Sequence, residues 1–322
     1  MFNTSIVTEF QLLGFSKIQE LQTAHFVMFL AIYLVALMDN FLIIIVIVLN
    51  PHLHTPMYFF LVNLSVADFG AISVTIPKSM THIRTISYTG CAAQVFFLIF
   101  FMAVDVSLLT VMAYDRFAAI CDPLHYAILM SRESCVKMAI IAWVSGFLYG
   151  LVHVGGTFSI TFCSNVVNQF FCEIPQILRL SCSDLYLIEI GILVFSAFLV
   201  FSCFIFIIIS YVQIFRAVMK IPSMKGRQKA FSTCLPHLIV VSLFICICAF
   251  AYLKPISRCP SDFDLVATVI YCSVPFMMNP IIYSIRNKDI QTALWKLLNH
   301  LNFWISNKMI IKINIYFNLV IP

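Results

Sequence analysis

"AAQVFFLIFFMAVDVSLLTVMAYDRFAAICDPLHY", residues 92–126, begins as a nearly unbroken apolar run and then sets Asp115 beside Arg116. The part from Ala92 to Ala113 is long enough to carry a helix across bilayer hydrocarbon, which takes about 20 residues. A guanidinium that keeps its charge at any physiological pH, placed where such a run stops, marks the edge of the apolar layer.

The rest of the chain has the same character. Of 322 residues, 62% are hydrophobic and 10% charged, and the mean hydropathy is +1.00. A soluble domain of this length would need a polar exterior that so few charges cannot provide. Apolar windows of spanning length occur at Ala24–Leu49, Met57–Ile76, Ala92–Ala113, Met138–Thr157, Ile188–Phe215, Phe231–Leu253 and Leu265–Ser284. Backbone polar groups in lipid must be satisfied within the segment, so these windows are predicted to be helices rather than barrel strands. The first window is too long for the core of a cleaved signal and is read as a retained anchor.

Lysine and arginine give the orientation. Thirteen of the 19 fall in the segments after spans one, three, five and seven, and six on the other side. The N terminus is therefore predicted to be extracellular and the C terminus cytoplasmic. The formal charge of +5 reads as topology and attraction to an anionic inner leaflet, with no nucleic-acid groove behind it. Asn3-Thr4-Ser5 is a glycan acceptor on the outer side, whereas Asn63-Leu64-Ser65 lies inside a span.

Cys91 starts span three, and Cys163, Cys172 and Cys182 crowd the polar connection before span five. On an oxidising side these four are read as disulfide-bonded, with three pairings open. No Cys-x-x-Cys supports zinc, and Cys259 is left over. The connection Phe158–Leu187 is expected to fold as a stapled cap over the outer mouth. After span seven, Asp289–Leu301 carries Ile290, Ala293, Leu294, Leu297, Leu298 and Leu301 at helical spacing, as an interfacial helix would.

Charge inside a membrane is costly, which makes Asp39, Asp68 and Asp105 functional candidates, with Glu189 and His153 nearer the outer ends. Asp68 and Asp105 fall at comparable depth in spans two and three, where two carboxylates would share a proton or hold a cation. Asn40, Asn279 and Ser65 could complete that cluster; the plainer alternative is interhelical hydrogen bonding alone. No nucleophile and base, phosphate loop or metal-ligand spacing points to an enzyme.

"MAYDRFAAICDPLHY" (112–126) resembles the span-three signature of olfactory receptors within the rhodopsin-like G-protein-coupled receptors. "PMYFFLVNLSVADF" (56–69), "SY" (210–211), "KAFSTCLPHL" (229–238) and "PFMMNPIIYSIRNKDI" (275–290) agree with it in fixed order, so the resemblance runs from Phe10 to Leu298. It implies an all-α membrane protein: a seven-transmembrane helix bundle with a short amphipathic helix after the seventh span. The divisions would be an extracellular N terminus (1–23), the receptor domain (24–285) and a cytoplasmic tail (286–322). It further implies an odorant receptor in the plasma membrane, with a small-molecule odorant, a heterotrimeric G protein of the olfactory Gs type and membrane lipid as partners, and cyclic AMP as output.

By that resemblance Asp115 and Arg116 form the inactive-state lock and G-protein contact, Asn279, Pro280 and Tyr283 the Asn-Pro-x-x-Tyr element, and Tyr211 its inward-swinging partner. Cys91 pairs with Cys172 and Cys163 with Cys182. Asn40, Asp68 and Asp105 correspond to the polar ion cluster, where a sodium ion is the one cofactor to consider. Leu98, Met102 and Asp105 share one face of span three, and Val106, Phe195, Leu199, Cys248, Ala249 and Tyr252 would join Leu98 and Met102 around an apolar ligand pocket. Leu98 stands where amine receptors carry an acid.

The chain also departs from the family. Asp39 replaces a glycine and adds an acid expected to be buried, Phe117 replaces tyrosine, Pro236 replaces serine, and Ile245-Cys246 replaces Tyr-Gly. The apolar tail 302–322 exceeds the family norm. Two other readings are a carrier with a carboxylate relay through Asp39, Asp68 and Asp105, and a receptor-like protein that does not signal. The carrier predicts inverted repeats, and none is visible.

Overall fold

The computed structural model describes residues 7–13, 19–81, 84–182, 186–253, 262–297 and 299. Seven long helices follow one another: α1 (Gln19–Leu49), α2 (Pro56–Met80), α3 (Tyr88–Cys121), α4 (Arg132–Phe158), α5 (Tyr186–Met219), α6 (Met224–Leu253) and α7 (Asp262–Arg286). Six are apolar enough over sufficient length to cross a membrane; the seventh qualifies together with α8 (Lys288–Leu297), which leaves it at 90°. Every helix overruns its apolar window by a turn or more, because helical hydrogen bonding does not stop where the lipid does. The ends carry local signals. Pro56 occupies the first turn of α2, Ser87 Oγ accepts from Gly90 N at the start of α3, and Ser131 Oγ accepts from Ser134 N at the start of α4.

Helix α3 packs against α2, α4, α5 and α6. Its contact with α4 is close because α4 presents Ala139, Ala142, Gly146 and Gly150 on one side. A Cβ on Gly146 would stand 2.7 Å from Val104 Cγ2 and 3.0 Å from Phe100 O, so any larger residue would push the two helices apart. The opposite faces of the bundle are apolar and exposed, as with Ile141, Leu148, Phe198 and Phe201, which is the pattern lipid contact requires.

The end holding the disulfides is termed outer and the Asp115–Arg116 end inner. The outer end has a feature that hydropathy does not signal. Residues Glu9–Leu12 form β1, the middle strand of a sheet ordered β2-β1-β3, antiparallel to β2 (Thr85–Ser87) and parallel to β3 (Val166–Val167). Phe10 is fully buried there against Tyr88 and Phe162. At the inner end α8 buries Ile290 and Ala293, half-buries Leu294 and Leu297, and exposes Lys288, Lys296 and Trp295. Asn287 starts it, with Oδ1 accepting from the N–H groups of Asp289 and Ile290. Asn3, Cys259 and the tail 302–322 lie outside the described residues.

Candidate functional site

Three polar layers lie along the bundle. At the inner rim Asp115 is 1% exposed and Arg116 8%. Their ion pair, Arg116 Nη2 to Asp115 Oδ2, measures 3.5 Å, and Nη2 makes no hydrogen bond. The firmer hold on Asp115 is the Tyr126 hydroxyl, donating to Oδ1 at 2.9 Å from the short helix Tyr126–Leu129. Burial first and the Asp115 charge second push the Tyr126 phenol far above its ordinary range, so it remains a donor. Asp115 is therefore fixed from outside the span, while Arg116 is held chiefly by charge.

About two turns further out, Leu109 O accepts from His237 Nε2 at 2.9 Å, and His237 Nδ1 lies 2.9 Å from the Tyr211 hydroxyl. A carbonyl can only accept, so Nε2 carries a hydrogen; on the neutral ring Nδ1 takes the Tyr211 proton. One imidazole thereby stitches α3, α5 and α6 together. Tyr211 engages His237 on α6, while Tyr283 is 3% exposed with a hydroxyl that has no partner. Tyr58 on α2 binds the turn into α8: Asn287 Nδ2 donates to its hydroxyl at 3.0 Å, and that hydroxyl lies 3.3 Å from Asp289 Oδ2.

The middle layer joins α1, α2, α3 and α7. Asn279 Nδ2 donates to both Asp68 oxygens at 3.0 and 3.1 Å. Asn40 Nδ2 donates to Phe276 O at 3.0 Å and Ala36 O at 2.9 Å. The first contact has a local cause: Pro280 lacks an N–H, so the carbonyl four residues earlier, that of Phe276, has no helical donor. Asp105 lies in electrostatic reach of Asp68, is 1% exposed, and neither of its oxygens has a hydrogen-bond partner. Ser65, three residues before Asp68 on α2, is also buried. Asp39, expected to be buried, is only half-buried; the neighbouring Asn40 occupies the interior side of α1. Successive helical residues point about 100° apart, and the rotation of α1 gives the inward direction to Asn40.

The outer layer is the cap. Disulfides link Cys91 to Cys172 and Cys163 to Cys182. Gln94 of α3 accepts from Cys172 N at 2.9 Å and donates to Val74 O at 3.0 Å, and Gln169 Nε2 donates to Thr268 Oγ1 at 2.8 Å. Phe170 and Phe171 are buried among Phe29, Ile76, Leu98, Cys272 and Phe276, so the loop enters the mouth of the bundle. Burial raises the Glu173 carboxyl to about 7 despite hydrogen bonds from Gln169 and Gln176 and the nearby Arg179.

Leu98 and Val106 are buried and Met102 is half-buried on α3, whereas Phe195 and Leu199 on α5 are 63% and 40% exposed. Cys248, Ala249 and Tyr252 lie on α6, but their side chains are outside the described residues. Among the described residues no group of three or more His, Cys, Asp or Glu is arranged to bind a metal. Sequence reasoning missed Tyr126, His237, Gln94 and the Gln169–Thr268 contact, although the first two stand inside motifs already quoted.

A seven-helix bundle with an Asp-Arg pair at one rim, an Asn-Pro element over a buried carboxylate and a disulfide-stapled cap is the architecture of a rhodopsin-like receptor. Comparison with known proteins narrows this. The family described as olfactory receptor matches residues 29–300. Human olfactory receptor 14A16 is 50% identical over 303 residues, covering 92% of this chain and 98% of that receptor. Human olfactory receptor 14I1 is 49% identical over 94% of this chain and 99% of that receptor, and human olfactory receptor 14L1 48% identical over 91% and 92%. The chain belongs to the olfactory receptor family, a family of multi-pass membrane receptors and not of enzymes.

Proposed function

We propose that this odorant receptor binds a small, mostly apolar volatile compound among the outer halves of the helices and, when occupied, opens its inner face to a heterotrimeric G protein of the olfactory Gs type, raising cyclic AMP. The observation that carries the reading is the inner lock, in which Arg116 is buried, always charged and held by one ion pair at 3.5 Å. Such a group is available to the backbone carbonyls of a partner once α6 moves away. Orientation follows from the basic residues: the N terminus, with a glycan on Asn3, outside, and Arg116 at the cytosol.

The outer contacts support the ligand assignment. Leu98 and Met102 pack with Phe170 and Phe171 in one apolar cluster and Val106 is buried further along α3, and by family position Phe195, Leu199, Cys248, Ala249 and Tyr252 complete the lining. Tyr252 is the hydrogen-bond donor of that set. A ligand acts only through its different affinity for the closed and open bundles. At the middle layer the partnerless Asp105 carboxylate, with Asp68, Asn40 Oδ1 and Ser65, is an oxygen-rich set suited to a sodium ion; a proton shared by the two acids is the alternative. The cation would offset the charge of the acids and hold the layer together.

A cyclic-AMP reporter read over an odorant panel tests the proposal. Ligand-dependent signal that disappears in Arg116→Ala at equal surface level supports it. Solute uptake without signal would replace it with the carrier reading, and absence of an N-terminal tag from the surface of intact cells with the silent one.

A further inference from the structure

Between α4 and α5, toward the outer end, lies a polar group that the inner lock and the middle layer do not use. His153 Nδ1 is 2.8 Å from Glu189 Oε1, and His153 Nε2 is 2.9 Å from Ser196 Oγ. All three are buried, at 1%, 0% and 6% exposure. Glu189 and Ser196 are seven residues apart, hence on one stripe of α5. A single imidazole thus grips α5 at two heights. One hydrogen bond would let the helix swivel about it; two on one stripe fix rotation and height together.

The surroundings are shaped to this grip. The ring of Tyr149, one turn before His153, meets the imidazole edge-on at 4.7 Å. A Cβ on Gly156 would stand 2.0 Å from Glu189 Oε2, so the carboxylate fits only because α4 has a notch there. Oε2 itself has no hydrogen-bond partner. Phe195 directly precedes Ser196 and Leu199 follows three residues later, so the direction in which both point is set by where Ser196 is held.

We propose that His153, Glu189 and Ser196 are positioning residues for ligand specificity: their clasp sets the rotation and height of the outer half of α5 and thereby which α5 side chains are offered to a ligand. The inference rests on the reading above only in treating the outer halves of the helices as the ligand-facing region.

The test needs no odorant. Leu199→Cys is introduced into the full chain, and its rate of labelling by a maleimide is measured in isolated membranes against the chain without that substitution, which corrects for native thiols. Glu189→Ala and His153→Ala are each expected to change the rate by roughly five-fold or more, since each leaves a buried polar partner unmatched. Glu189→Gln keeps an oxygen that accepts from Nδ1–H and is expected to stay within about two-fold of the parent. Ser196→Ala removes one grip of two and should shift the rate less, in the same direction. Unchanged labelling in both alanine variants, or a change in Glu189→Gln as large as in Glu189→Ala, overturns the proposal. If the alanine variants at 153 and 189 do not accumulate, Ser196→Ala decides: a shifted rate supports the clasp and an unshifted one sinks it. Cyclic AMP is not measured, so failure here leaves the receptor reading intact, and a chain that never signals can still show the clasp.

Discussion

The outer end of the bundle is closed by two disulfides, a three-stranded sheet and a loop whose Phe170 and Phe171 enter the mouth. Among the described residues the inner end is held by side-chain contacts: the ion pair at 3.5 Å, the Tyr126 phenol on Asp115, the His237 imidazole between Tyr211 and Leu109, and Tyr58 with Asn287. Covalent bonds and buried rings do not exchange with water on the timescale of a signal; side-chain hydrogen bonds and ion pairs do. The difference assigns the two ends different work. Under the function proposed above, the outer end would keep its shape whether or not a ligand is present, and the inner end would have two states separated by a few replaceable contacts.

This contrast can be broken from either side. The largest effect is expected for Cys172→Ala. Losing the staple across the Cys91–Cys172 loop should cost about 2–5 kcal/mol and remove the receptor from the cell surface, as read by staining an N-terminal tag. Arg116→Ala should leave surface level near that of the parent while abolishing ligand-dependent cyclic AMP, because the proposed role makes the residue a contact for the partner more than a support for the fold. Normal surface display of the cysteine variant, or retained signal in the arginine variant, would dissolve the division of labour.

Smaller effects sharpen it. Tyr211→Phe leaves His237 Nδ1 without a donor and should weaken the closed state by about 1–3 kcal/mol, seen as higher ligand-independent cyclic AMP. Tyr126→Phe should raise that basal signal by no more than Tyr211→Phe does, since Asp115 loses a charge-assisted bond of about 1.5–3 kcal/mol but keeps its pairing with Arg116. The smallest effect concerns the cap. Glu173 is raised by burial to about 7 from its ordinary 4.5, so the folded state binds its proton more tightly than the unfolded one does. Its contribution to stability is then full below pH 4.5 and is lost as pH rises through about 7. Thermal melting of the purified receptor across that window should fall with rising pH, and Glu173→Gln should flatten the trend. A slope unchanged in Glu173→Gln would assign the pH dependence elsewhere.

The spans were legible because the bilayer imposes a length, and a window such as Ala92–Ala113 either meets it or does not. Asp115, Arg116, Asn40 and Asn279 were legible because polar groups inside such windows are costly enough to need a reason. Their partners were not. Tyr126 lies beyond the end of α3 and reaches Asp115 only because the chain turns back; His237 meets Leu109 across 128 positions, and Gln169 meets Thr268 across 99. No local pattern encodes those separations. Asp39 shows the opposite error, since an acid inside an apolar window suggested burial and the helix turned it half outward. The β1 strand escaped notice because the polar-apolar alternation of Glu9-Phe10-Gln11-Leu12 runs for only four residues, too few to mark a strand when its partners lie in distant segments.

The amino-acid sequence alone marked the seven long apolar helices and where charge enters the apolar layer, because lipid penalises every unsatisfied polar group locally and at once. The tertiary structure alone decided which of those charges meet. It set Glu189 into the notch at Gly156, gave the carbonyl freed by Pro280 to Asn40 and left Asp105 without a partner, since such pairings depend on the rotation of one helix against another and no single helix contains that angle.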